Sequence, residues 1–126
     1  MMWVYDNVSR NEFEKRKDYV EQVMCEFGAV ILNIDPPYEQ ETTSCAESGQ
    51  ETCYSQRPVY KFNNEYFRVD EVLFIEKPFI VIEFGTYNDL IRNTMEDANP
   101  FPYDLSDNEI KNEVKYSLGI EPYPSI

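Results

Sequence analysis

The chain has 126 residues, 42% apolar and 15% aromatic, which suits one folded domain with a single core and not a disordered chain. Twenty-four acids against eleven bases give a net charge of −13, and there is no histidine. A Ser-His or Cys-His nucleophile pair and a Cys/His zinc site are therefore excluded, and no apolar run approaches the ~20 residues of a membrane span.

The opening MMWVYDN lacks the basic region and apolar stretch of a secretory signal, so a cytoplasmic protein is expected. Trp3-Val4-Tyr5 reads as a short edge strand or a packed N-terminal segment. Ser9 and Glu12 stand at capping-box spacing, and a helix follows to about Phe27. Phe13, Val20, Met24 and Phe27 fall in one arc at 100° per residue with Val23 beside them, while Glu14, Asp18 and Glu21 form a solvated opposite face. Cys25 lies on this helix as a small buried thiol. Gly28 ends the helix in a left-handed conformation, and Ala29–Ile34 reads as a buried strand.

Residues 35–58 show no apolar periodicity and form either a disordered surface loop or a binding loop. They carry Asp35, Glu39, Glu41, Glu47 and Glu51, with no base before Arg57, together with Tyr38 and Tyr54. Cys45 and Cys53 would close a small ring if oxidised and are free thiols in a reducing compartment.

Val59–Thr86 holds most of the β-branched and aromatic runs. Asn63-Asn64 is a two-residue hairpin turn that sets Tyr60 opposite Phe67 and Lys61 opposite Tyr66. Lys77-Pro78 breaks the chain between Leu73-Phe74-Ile75 and a strand, Phe79-Ile80-Val81-Ile82, that is apolar on both faces. Every apolar residue in the stretch is assigned to the core. Thr86 and Asp89 cap a short helix bearing Tyr87, Leu90, Ile91 and Met95. A rigid acidic connection, with Glu96, Asp97, Tyr103 and Asp104, leads to a third capping box at Ser106 and Glu109. The last helix carries Ile110, Val114 and Leu118 on one stripe, and Gly119 stops it. The sum is an α+β fold: one domain over residues 1–126, an antiparallel meander of about four strands covered by about three helices.

Little catalytic chemistry remains. There is no Gly-rich phosphate loop. Asp104, Ser106 and Asn108 begin like a calcium loop, but Glu109 replaces the glycine and Lys115 the bidentate glutamate. Asp70 and Glu71 sit on opposite faces of a strand and form no acid/base couple. Neither an enzyme nor a bound cofactor or metal is expected.

The charge surplus is uneven. Residues 35–56 carry five acids and no base, and 96–126 carry seven acids and two bases, so ten of the thirteen surplus charges lie in two segments. A positive partner would relieve that self-repulsion. The expected partner-binding residues are Asp35, Tyr38, Glu39, Glu41, Glu47, Glu51, Tyr54, Glu96, Asp97, Tyr103 and Asp104, the tyrosines serving as buried anchors.

The run NPFPYDLSDNEIKNEVKYSLGIEP, Asn99 to Pro122, together with size, charge and architecture, resembles the immunity proteins of bacterial contact-dependent growth inhibition systems. The resemblance implies a protein that binds a cognate toxin C-terminal domain, often a basic nuclease, and covers its active site. A monomer or weak dimer is expected, with no direct contact to nucleic acid or membrane. Two other classes fit the acidity: a nucleic-acid mimic of the anti-defence kind, and a non-catalytic adaptor whose charge serves solubility. A mimic would space its carboxylates along a whole face, whereas here they cluster in two segments.

Overall fold

Asn63 takes a left-handed conformation, φ 55°, and its turn joins two strands in the expected register, Tyr60 opposite Phe67 and Lys61 opposite Tyr66. The computed structural model describes residue 3, residues 5–32, 58–88 and 97–120, and the backbone of 41–42 and 53–54. In chain order the elements are α1 (Arg10–Glu26), β1 (Val30–Leu32), β2 (Glu41–Thr42), β3 (Cys53–Tyr54), β4 (Val59–Phe62), β5 (Glu65–Leu73), β6 (Pro78–Gly85), β7 (Asp97–Pro102) and α2 (Asp107–Leu118). An antiparallel sheet runs β1-β4-β5-β6-β7, and β2 pairs with β3 in a separate two-stranded ladder.

The fold is α+β, with a five-stranded sheet where about four strands were expected. The added strand is β7, because Asn99-Pro100-Phe101-Pro102 reads as a rigid connection and yet pairs along β6. Edge position is what admits its prolines. The Tyr103 N–H points at the Pro78 carbonyl on β6, so by alternation positions 100 and 102 direct their missing N–H groups at the open edge. That edge offers no donors there for another strand.

Two helices stand among the described residues, against about three expected. Tyr87 and Asn88 are helical, but the rest of the helix expected after Thr86 lies outside the described residues. Both described helices cover one face of the sheet. Phe13, Val20, Val23 and Met24 of α1 and Ile110, Val114 and Leu118 of α2 bury against Tyr60, Phe67, Val69, Leu73, Ile80, Ile82 and Phe101. Each such side chain contributes about 1.5–3 kcal/mol of burial. Tyr5 joins this core and Trp3 packs against it, so the N-terminal segment is a packed one.

Polar ties fix where the helices sit. Lys17 and Glu71, 5% and 3% exposed, form an ion pair between α1 and β5, and Arg10 meets the same carboxylate with two bonds of 3.0 Å. Asn99 of β7 donates to Glu113 Oε1 and Ser117 Oγ of α2, each at 3.0 Å.

Several sequence expectations change. Of the strand expected over Ala29–Ile34, the described part is β1, where Ala29 just before it is buried but Val30 is 61% and Ile31 49% exposed, because β1 is the outermost strand; Asn33 and Ile34 lie outside the described residues. Cys25 is exposed, since its position on α1 turns away from the Val20–Met24 stripe. The opposite face of α1 is more than solvated: Glu14 lies 2.7 Å from Lys17, and Glu21 accepts from the Tyr60 hydroxyl at 2.7 Å. Strand β5 ends at Leu73, which leaves Phe74 and Ile75 in the turn rather than in a strand. No helix among the described residues is long and apolar enough to cross a membrane.

Candidate partner-binding surface

One end of the sheet gathers the β5–β6 turn, the end of β7 and the start of α2. Phe74, just after β5, accepts a hydrogen bond from the Tyr5 hydroxyl through its carbonyl, and its ring meets Phe79 edge-on at 4.9 Å. Ile75, next in the chain, is 70% exposed. It was expected in the core, but the turn chemistry of Glu76-Lys77-Pro78 ends the strand two residues before it and points it outward.

Tyr103 and Asp104 follow β7 directly. The Tyr103 ring sets its edge on Phe13, centroids 6.2 Å apart, and stays partly open. Burial raises its hydroxyl pKa above the ordinary tyrosine value, the carboxylates of Asp104 and Glu12 raise it further, and Lys77 opposes them. Thus Glu12, from the first turn of α1, belongs beside Tyr103, although the two residues lie far apart in sequence.

The cations at this end are already engaged. Lys77 pairs with Asp104 at 3.3 Å, and Arg16 pairs with Asp107 at 3.1 Å while donating to the Leu105 carbonyl at 2.8 Å. Ser106 and Glu109 form the expected capping box, and the bond from the Ser106 backbone N–H holds the Glu109 carboxyl below its usual range. Negative charge at this helix start is also favoured by the helix dipole.

Across the described residues, ten acids are exposed against two bases, Lys15 and Lys61. Five of those ten, Glu12, Glu76, Asp104, Asp107 and Glu109, stand at this end. Arg10, Arg16, Lys17, Arg68 and Lys77 are all drawn into ion pairs; at this end Arg16 and Lys77 take up Asp107 and Asp104, which leaves Glu12, Glu76 and Glu109 as the carboxylates facing no cation among the described residues.

Of the residues expected to bind a partner, Tyr103 and Asp104 lie in this patch. Asp97 is exposed at the opposite end of β7, roughly 20 Å away at ~3.3 Å per strand residue, and so does not join them. Glu41 and Tyr54 face each other in the β2–β3 ladder, of which only the backbone is described. Asp35, Tyr38, Glu39, Glu47, Glu51 and Glu96 lie outside the described residues. Sequence reasoning missed Glu12, Ile75, Glu76, Asp107 and Glu109. The first two carried signals, a capping box and an apolar residue beside turn residues, but each was assigned only to the fold.

A second polar cluster lies on the sheet face away from the helices. Asp70 and Glu71 do point to opposite faces, as expected, but Asp70 then meets a different carboxyl. Arg68 donates to Glu83 at 3.0 Å. Burial raises the Glu83 pKa, Arg68 opposes the rise, and Asp70 reinforces it by charge and by a hydrogen bond. Arg68 and Asp70 are buried, so neither offers surface to a substrate. A cluster this closed serves the sheet. Comparison with known protein families, with curated proteins and with solved structures finds no match to this chain.

Proposed function

We propose that this protein is an inhibitor of the immunity type, which binds a cognate bacterial toxin domain, a basic nuclease, and covers its active site. The observation that supports this reading is the turn end of the sheet. There, the exposed carboxylates of Glu12, Glu76 and Glu109 share one end of the molecule with a half-open tyrosine and an exposed isoleucine, and the local cations Arg16 and Lys77 are matched by Asp107 and Asp104. A nuclease cleft is basic because it holds a polyanion, so such a surface is steered onto it and competes with substrate. Apolar and tyrosine anchors then supply the slow dissociation that field alone does not.

The test begins with the gene immediately upstream: it should encode a toxin with a nuclease domain, and this protein should inhibit that domain in growth rescue and in a purified cleavage assay. Glu12→Lys, Glu76→Lys and Asp104→Lys combined should slow association by about 10- to 100-fold and flatten its salt dependence. Glu26→Lys with Glu65→Lys, exposed elsewhere, should leave inhibition intact. Undiminished inhibition by the triple variant, or equal loss in the control, overturns the reading.

A further inference from the structure

We infer that the hollow beside the β5–β6 turn is a socket for one aromatic or aliphatic side chain of a basic partner protein. The inference rests on the inhibitor reading above for the partner's charge, but its geometry is independent of the partner being a toxin. The hollow measures about 490 Å³ and is walled by Phe74, Ile75, Phe79 and Pro102, with Glu76 and Lys77 at its mouth. That is room for one large side chain.

Its walls are fixed before any partner arrives. The Phe74–Phe79 edge-on pair, the Tyr5 hydroxyl on the Phe74 carbonyl, and the Tyr103 N–H on the Pro78 carbonyl at 3.4 Å pin three sides of it. A preformed apolar hollow lowers the ordering cost of binding. A second hollow of about 470 Å³ shares Pro102 with the first and is of mixed character, with Pro100, Leu105 and Tyr116 beside Asn99 and Glu113. Single exposed apolar residues signify nothing, whereas a contiguous run rimmed by charge marks an interface.

Charge selects the occupant. Glu76 is exposed at the rim, and the rim's Lys77 is turned to Asp104 beyond it, so Glu76 is the rim charge left facing a partner. A second copy of this chain would set the same acidic rim against itself, with −13 on each partner. A polyanion is repelled for the same reason. An apolar side chain flanked by lysines or arginines meets both the hollow and its rim.

The experiment uses a synthetic probe, Lys-Lys-Gly-Trp-Gly-Lys-Lys, titrated into the isotope-labelled protein and followed by amide chemical shifts. Comparison peptides replace Trp by Ala, or every Lys by Glu. Shifts should concentrate at residues 74–79 and 102–104. The Ala peptide should bind about tenfold more weakly, and the Glu peptide should not bind. Ile75→Ser should lose the same factor against the Trp peptide and nothing further against the Ala peptide, the coupling expected of direct contact. Ile75 is exposed, so this change should not impair folding, and Ile31→Ser, exposed on β1, should leave binding unchanged.

Equal binding of the Trp and Ala peptides, or shifts spread over exposed acids everywhere, would show only a diffuse field and overturn the socket. So would equal losses in Ile31→Ser and Ile75→Ser, or socket shifts that depend on protein concentration alone, which would make a second copy the occupant. Coupled peptide binding without inhibition of the upstream nuclease leaves the socket standing and removes the toxin reading. Inhibition without coupled peptide binding does the reverse.

Discussion

Glu71 joins the first helix to the sheet through a pair that water scarcely reaches. Burial alone would raise its pKa, but Lys17 and Arg10 outweigh burial and hold the carboxyl below its ordinary value. A depressed carboxyl contributes stability above its unfolded pKa, ~4.3, and that stability is lost as pH falls through the lower folded value. Glu71→Gln leaves Lys17 with Glu14 as its remaining carboxylate, 2.7 Å away, so the loss expected at neutral pH is that of a charge-assisted bond, about 1.5–3 kcal/mol, and not that of an orphaned buried charge. Urea unfolding of both proteins across pH checks this. The difference should shrink as acid protonates Glu71 in the native protein, and a difference constant with pH would mean that packing, not charge, is responsible. Glu83, with its raised pKa, acts in the opposite sense but is common to both proteins and cancels. None of this partnership was legible in the sequence. Alternation along β5 places Glu71 on one face, but only the docking of α1 decides that Arg10 and Lys17 stand over it. The exposure of Cys25 was legible from its helical position, which turns away from the Val20–Met24 stripe, but the apolar character of the thiol was given more weight; that of Ile75 was missed because the turn ends β5 at Leu73.

Elements were more legible than residues, because caps and turns are local chemistry. Ser9 accepts from the Glu12 N–H at 2.9 Å, and Gly28 and Gly119 terminate their helices with φ of 110° and 74°. Ser106→Ala removes the cap of α2 and should cost about 1 kcal/mol. The measurement is the urea midpoint, with unchanged slope, beside Ser9→Ala as a second cap. Loss of the whole fold in Ser106→Ala would show that Arg16, Leu105 and Asp107 depend on this cap more than a single hydrogen bond explains. The hairpin register was legible because the turn length fixes it. Strand β7 was not, since its prolines argue against a strand wherever an inner position is assumed. Its place at the edge is a property of the sheet and cannot be read from six residues.

At the scale of the whole molecule, charge acts on folding and on binding with opposite signs. The described surface exposes ten acids against two bases, and its half-exposed cations at the turn end are committed to ion pairs. Repulsion among exposed carboxylates opposes the compact state and is screened by salt, with a Debye length of about 10 Å at 0.1 M. The pairs that hold the fold, Lys17–Glu71 and Arg68–Glu83, are largely buried and are screened far less. Raising NaCl from about 10 mM to about 0.5 M should therefore raise the thermal midpoint, over a range where the Debye length falls from about 30 Å to about 4 Å. The gain should be smaller in the Glu12→Lys, Glu76→Lys, Asp104→Lys variant, which carries six fewer negative units of charge by three reversals of two each. Over the same salt range, association with a basic partner should slow, because the field that steers it is screened. A midpoint that falls with salt would place the dominant electrostatics in exposed ion pairs, and the acidic end would then be part of what holds the fold rather than a surface kept open for a partner.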